Sequence, residues 1–267
     1  MENSKEKICL ILTATIEVRN KALSKRNDTL TRLNDYKTML KFWLTKQKSI
    51  SRIVFTDNSS YPLDELKEIV RRNNPYKKEV EFLSFTAVGR EAQTKGYGEL
   101  GIDRYVLDNS RIVKGATYFV HCGGRVFIEN IDAIIAGLPD EFHMISTWQN
   151  NLANSQTDIF ITGKDFFNNH MYGYLEAAID DVNKMYYERA FTRALHLALS
   201  KDYHWFPFAV EPIVCGVSGA KNQRFKMGRL RSRYITFISH LEDRFRRNSH
   251  GRNRQHLLDM WQVPPKQ

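Results

Sequence analysis

Apolar positions along the chain fall into short runs that alternate with stretches of helical period. Residues 7–16 (KICLILTATI) form a nearly continuous apolar run, too short for a typical helix and closing in small polar residues, which predicts a strand buried on both faces. Between residues 31 and 45, Leu33, Tyr36, Met39, Leu40, Trp43 and Leu44 recur at helical spacing. Residues 51–55 (SRIVF) predict a second strand closed by the turn-rich Thr56-Asp57-Asn58-Ser59-Ser60, and Pro62 opens a helix to about Arg72. Further strands are expected at 79–85, 116–122, 143–147 and 158–162, with helices at 96–109, 165–179 and 185–199. Strands alternating with helices over the first 120 residues predict an open, mostly parallel α/β sheet with helices on both faces. Gly216-Val217-Ser218-Gly219 reads as a mobile loop rather than a nucleophile elbow.

In such sheets a ligand sits outside the carboxyl ends of the strands, so the residues just after each strand are the informative ones. Small residues at Thr13, Ala14 and Thr15, followed by Glu17 and Arg19, let a base or ribose approach the backbone after the first strand. Asp57, Asn58 and Ser59 follow the second, with Asp57 expected to accept from a base edge or ribose hydroxyl. Lys95 and Gly96 open a later loop, and Gly123, Gly124 and Arg125 follow the fourth strand; Lys95 and Arg125 are suited to neutralising phosphate.

Composition sets the outer limits. The 267 residues are 42% hydrophobic and 26% charged, with a mean hydropathy of -0.48, and no apolar run is long enough to span a bilayer. With no recognisable leader, a cytoplasmic location is expected. Three dispersed cysteines, Cys9, Cys122 and Cys215, fit neither a disulfide framework nor a metal knuckle. There is no GxxxxGK[ST], no GxGxxG after the first strand and no HExxH, which disfavours P-loop, dinucleotide-binding and zinc-hydrolase chemistry.

Charge then divides the chain. From Lys221 onward 12 basic residues face 3 acidic ones, a net of +9, which leaves +1 for the first 220 residues. In that segment Tyr234, Phe237, Ile238, Leu241 and Phe245 recur at helical spacing between arginine clusters, which predicts a cationic amphipathic helix. Residues 1–220 are therefore expected to form the catalytic domain, and residues 221–267 a basic C-terminal helical appendage that docks peripherally on the anionic inner face of a membrane. No nucleic-acid signature accompanies the charge, so nucleic acid is not an expected partner.

Read in order, ILTATIEV, RLNDYKTMLKFWL, IVFTDNSSYPLDEL, KGYGELGIDRYVLDNS, CGGRVFIEN, DFF and IDDVNKMYYERAFTRAL resemble bacterial glycosyltransferases of the GT-A-like kind that build capsule and lipopolysaccharide. The resemblance spans the first 190 residues and implies a GT-A-like, Rossmann-like domain moving a sugar from a nucleotide-sugar donor to a glycan or lipid-linked glycan acceptor. It also implies an acceptor-side carboxylate at Glu188 or the pair Asp180 and Asp181, with Glu99 a further candidate. Such enzymes usually carry an Asp-x-Asp after the fourth strand to hold Mg²⁺ or Mn²⁺; this chain has Gly123-Gly124-Arg125 there. Either Arg125 and Lys95 neutralise the leaving diphosphate, or carboxylates such as Asp180 or Asp181 hold a metal. The rival functions are a sugar nucleotidyltransferase, whose glycine-rich basic loop after the first strand is missing, and a binding module with a nucleic-acid-binding tail.

Overall fold

A computed structural model of the chain describes residues 8–20, 24–148, 152–218 and 222–225. The basic amphipathic segment read at 234–245 lies outside the described residues.

The first strand, β1 (Ile8–Ala14), is central, paired in parallel with β2 (Arg52–Asp57) on one side and β4 (Tyr118–Gly123) on the other. Its continuous hydrophobicity follows from that position. Leu10, Leu12 and Ala14 enter one core while Cys9 and Ile11 enter the other, because successive side chains point to opposite faces. β3 (Glu79–Ser84) closes the edge beyond β2. On the far side of β4 come β7 (Ser155–Gly163), β6 (Met144–Trp148) and β8 (Trp205–Phe206), giving the order β3-β2-β1-β4-β7-β6-β8. Among the described residues β7 is the one strand of this sheet that runs antiparallel to its neighbours.

One face is covered by α1 (Thr29–Thr45), α2 (Asp64–Arg72) and α6 (Ile131–Ala136). The Asp28 side chain caps α1 by accepting from Thr31 N at 2.8 Å, and its predicted stripe, Leu33 to Leu44, is buried. Trp43 Nε1 donates to Val126 O at 2.9 Å, tying α1 to β5 (Val126–Ile128). The other face carries α4 (Lys95–Asn109), preceded by the short α3 (Arg90–Gln93) and followed by α5 (Arg111–Lys114). It also carries a helical stretch of α7 (Lys164–Phe166), a π-helical turn (Phe167–Met171) and α8 (Tyr172–Ala178), then α9 (Tyr187–Leu199).

The architecture is the expected open, mostly parallel α/β sheet with helices on both faces. One local expectation changes. The glycine-containing segment read as a mobile loop overlaps the end of β9 (Val214–Ser218), which pairs antiparallel with β5 and with β10 (Gln223–Arg224). Gly216 permits this strand: its φ is +126°, and a Cβ there would lie 2.2 Å from Arg125 O. Gln223 and Arg224 therefore belong to this small sheet although they fall after the break in charge.

Candidate functional site

The chain leaves β1 for β2 and β3 on one side and returns to β4 on the other, so the strand order reverses between β1 and β4. Loops diverge at such a point and leave a crevice at the carboxyl ends of the strands. Here the crevice encloses about 220 Å³. Thr13, Ala14, Thr15, Glu17 and Arg19 line one side, with Asn58 and Ser59, and Gly124 and Arg125, beside them.

The segment after β1 is fastened at successive backbone groups. Thr15 N donates to Tyr36 Oη at 3.0 Å, Arg32 Nε donates to Thr15 O at 2.6 Å, and Glu17 N donates to Ser59 Oγ at 3.1 Å. Arg32 and Tyr36 reach the crevice floor because they lie one turn apart on the buried face of α1. Thr15 Oγ1 donates to Asn58 Oδ1 at 2.7 Å, and Asn58 Nδ2 donates to Gly98 O at 3.3 Å, which joins β1, β2 and α4. Gly124 N donates to Thr13 O at 2.8 Å, and a Cβ on Gly124 would lie 2.9 Å from that oxygen and 3.0 Å from the Tyr36 ring. Glycine is therefore required here for close approach, in addition to lining the site.

Two residues expected at the ligand lie behind it. Asp57 is fully buried and does not line the crevice; its carboxylate accepts from Ile16 N at 2.8 Å, Ser59 N at 3.0 Å and Tyr61 N at 3.1 Å. Burial pushes its pKa up even against these donors. With its oxygens engaged by the loop, Asp57 braces the floor of the crevice. Gly96 is buried in the first turn of α4, where its N–H donates to Asp181 Oδ2 at 3.0 Å and a Cβ would meet Ile179 Cγ2 at 2.9 Å.

The opposite wall is acidic. Lys95, Glu99 and Asp158 line it, and behind them runs a buried chain of hydrogen bonds. Tyr187 Oη donates to Asp103 Oδ2 at 2.9 Å, His121 Nδ1 lies 2.9 Å from Asp103 Oδ1, and His121 Nε2 lies 3.3 Å from Glu99 Oε1. Burial alone pushes the His121 imidazole down, but the Asp103 and Glu99 carboxylates outweigh it and raise the pKa to about 10. His121 is thus an imidazolium near neutral pH, stacked on Phe160 at 4.4 Å. Burial pushes Glu99 up, yet His121, Lys95 and Arg125 together hold it below the usual carboxylate range. Asp158 moves the other way, raised by burial and by the neighbouring Glu99 and Glu188 charges. A carboxylate whose pKa is lowered and one whose pKa is raised thus face the same space.

The carboxylates expected on the acceptor side are distributed differently. Glu188 does not line the crevice and touches it through Lys95, at 3.4 Å between half-exposed side chains. Asp180 sits on an exposed turn where its oxygens accept from Asn183 N at 3.1 Å and Asn183 Nδ2 at 2.6 Å. Asp181 meets the N-terminus of α4 through Gly96, where its charge complements the helix dipole. The pair closes the turn between α8 and α9 and does not face the crevice. Asp158 escapes a sequence reading because the antiparallel direction of β7 brings that strand's beginning to the carboxyl edge, with Ile159 opposite Cys122. His121 and Asp103 read only as interior positions of a strand and a helix.

A divalent cation does not fit these residues. Among the described residues no group of three His, Cys, Asp or Glu side chains is placed to hold a metal ion. Asp180 and Asp181, the alternative ligands, are engaged elsewhere, and a guanidinium follows β4 where carboxylates were expected.

No protein-family model matches the chain, and no curated protein matches its sequence. Solved structures of similar shape include core-mannan synthase A from Aspergillus fumigatus in an Mn/GDP form, 13% identical with a TM-score of 0.44 over 75% of this chain and 72% of that one. A cytidylyltransferase from Leptospira borgpetersenii is 15% identical with a TM-score of 0.41, over 76% and 75% of the two chains. A mannosyltransferase from Pyrobaculum calidifontis in complex with GDP-Man and Mn²⁺ is 9% identical with a TM-score of 0.45, over 75% and 54%. These are likenesses to glycosyltransferases and nucleotidyltransferases at the level of the whole shape, and they assign no role to any residue of this chain.

Proposed function

We propose that the protein is a glycosyltransferase that moves a sugar from a nucleotide donor to an acceptor hydroxyl. The observation that carries this reading is the pairing, in one crevice at the reversal of strand order, of a braced and partly cationic wall with an acidic one. The nucleotide lies against Thr13 to Arg19, Asn58 and Ser59, where the backbone is held rigid before any ligand arrives. Rigid positioning of this kind reduces the entropy lost on binding. The donor's reacting carbon then faces the Glu99 and Asp158 side.

In the transfer, the bond between the sugar carbon and the diphosphate oxygen breaks and its electrons leave with the nucleoside diphosphate. A bond from the acceptor oxygen forms, and the acceptor proton passes to a carboxylate. Asp158 suits that role because it lines the crevice and its raised pKa makes its carboxylate a stronger proton acceptor. Glu99, held charged by His121, and Lys95 position it. Glu188 acts through Lys95.

The choice of a capsule or lipopolysaccharide glycan, free or lipid-linked, as acceptor rests on the sequence resemblance. Peripheral attachment to an anionic membrane through residues 221–267 rests on their charge, each basic residue contributing about 1 kcal/mol near such a surface. Among the described residues no helix is long and apolar enough to cross a membrane. Equal sedimentation with anionic vesicles of the full chain and of a chain ending near residue 225 would remove that role from the tail.

Thermal-shift measurements against nucleoside mono- and diphosphates and nucleotide sugars test the central reading, since a ligand bound only by the folded state raises its melting temperature. A shift for nucleotides of one base, larger with the diphosphate, is expected. A flat panel contradicts the proposal.

A further inference from the structure

Resting on the nucleotide-sugar reading above, we infer that the Arg125 guanidinium stands in for a divalent cation and binds the donor diphosphate directly, so that nucleoside diphosphates bind this protein without metal. Arg125 follows the end of β4, on the wall of the crevice. Its Nη1 is buried and has no hydrogen-bond partner among the described residues. A buried charged donor left without an acceptor is costly, and such groups normally have one. An anion in the crevice supplies it.

A second observation points the same way. The Arg32 and Arg125 guanidinium carbons each lie 5.9 Å from the centroid of the Tyr36 ring, so two cations share one aromatic floor. Burial first, and the Arg125 charge among the further causes, hold Arg32 below its usual range. Arg32 has spent its donors on Thr15 O, Arg26 O and Tyr36 Oη. The charge it contributes remains, while Arg125 supplies the open donor. The planar fork of a guanidinium matches two phosphate oxygens at once, which a single ammonium cannot do.

The preceding residues make the approach possible. Gly124 has no room for a side chain between Thr13 O and Tyr36, and a Cβ on Gly123 would meet only Val126 Cγ2, at 3.7 Å. The carboxylates that would hold a metal at this point are replaced by two glycines and an arginine. On the other wall Glu99 is engaged by His121.

Titration calorimetry on the full chain tests the inference, with UDP, GDP, CDP and ADP as probes, each in EDTA and in Mn²⁺. At least one diphosphate should bind in EDTA, with little gain from Mn²⁺. Arg125→Ala should weaken that diphosphate by about ten- to a hundredfold, the usual range for a charge-assisted contact, and weaken the matching monophosphate less. Arg125→Lys, which keeps the charge and loses the fork, should fall between. Arg125→Gln keeps most of the stem over Tyr36 and should show the same loss if the alanine variant proves poorly folded by circular dichroism. Diphosphate binding that appears only with Mn²⁺, or that is unchanged in the Ala and Gln variants, overturns the inference and leaves the nucleotide-sugar reading standing. Absence of binding by any nucleotide in either condition overturns both.

Discussion

His121 is fully buried between two carboxylates, and its ionisation ties the stability of the protein to pH. In the unfolded chain it titrates near the ordinary imidazole value of 6.5, and in the fold at about 10. The folded state therefore holds a proton that the unfolded state has lost. The stabilisation is complete below about pH 6.5 and disappears as pH rises toward 10, at about 1.4 kcal/mol for each pH unit in between. Lys78 acts in the opposite sense above about pH 8, the value to which burial lowers its ammonium. Urea midpoints of the wild type should fall from pH 7 to pH 9.5, and His121→Gln should show a flatter profile and a lower midpoint at pH 6. Parallel profiles for the two proteins would contradict an imidazolium at this position. At this scale the sequence shows which residues follow strands, so Thr13, Thr15, Asn58, Ser59, Gly124 and Arg125 could be placed at the crevice beforehand. It does not show which of two adjacent polar residues turns inward. Asp57 and Asn58 differ by one position, yet Asp57 braces the loop from below and Asn58 faces the crevice.

The position of Asp158 depends on β7. Because this strand runs against β4, its early residues meet the carboxyl edge of the parallel strands, and alternation places Asp158 on the same face as Phe160, toward the helices that carry Glu99 and Glu188. Asp180, by contrast, belongs to the exposed turn after α8. The two carboxylates should therefore respond differently to amide substitution. Asp158→Asn should bind nucleotide as the wild type does and lose about 10² to 10⁴ in turnover, the contribution expected of a general base. Asp180→Asn should keep near-normal turnover. Steady-state kinetics alongside calorimetry separate the cases, and the reverse order would return the acceptor-side role to the Asp180 turn. Hydrophobic runs and helical stripes were enough to locate the strands and helices named beforehand, because burial on both faces or on one leaves a strong periodicity. They carry no information on strand direction, which is set by pairing across β4 and β6. The three-residue β5 and its partner β9 were also missed: β5 is too short to show a period, and Gly216 interrupts β9.

For the whole molecule, the order β3-β2-β1-β4-β7-β6-β8 brings residues 13 to 15, 17 to 19, 58 and 59, 95, 98 and 99, 124 and 125, and 158 to one crevice, although they span most of the described chain. One side offers a guanidinium whose Nη1 has no hydrogen-bond partner among the described residues, and a rigid loop; the other offers a carboxylate held ionised beside one whose pKa is raised. A sugar nucleotide contains both matching parts, an anionic diphosphate and a carbon to be attacked by an acceptor oxygen. Nucleotidyl transfer begins from a nucleoside triphosphate and a sugar phosphate and releases pyrophosphate, so the products distinguish the two chemistries directly. The decisive measurement is phosphorus NMR of the full-length protein incubated with a panel of nucleotide sugars, and separately with nucleoside triphosphates and sugar 1-phosphates. Glycosyl transfer, to an acceptor or slowly to water, predicts accumulation of a nucleoside diphosphate from one nucleotide sugar and its strong reduction in Asp158→Asn. Pyrophosphate from the triphosphate mixture, with nucleotide sugars left intact, would contradict the account.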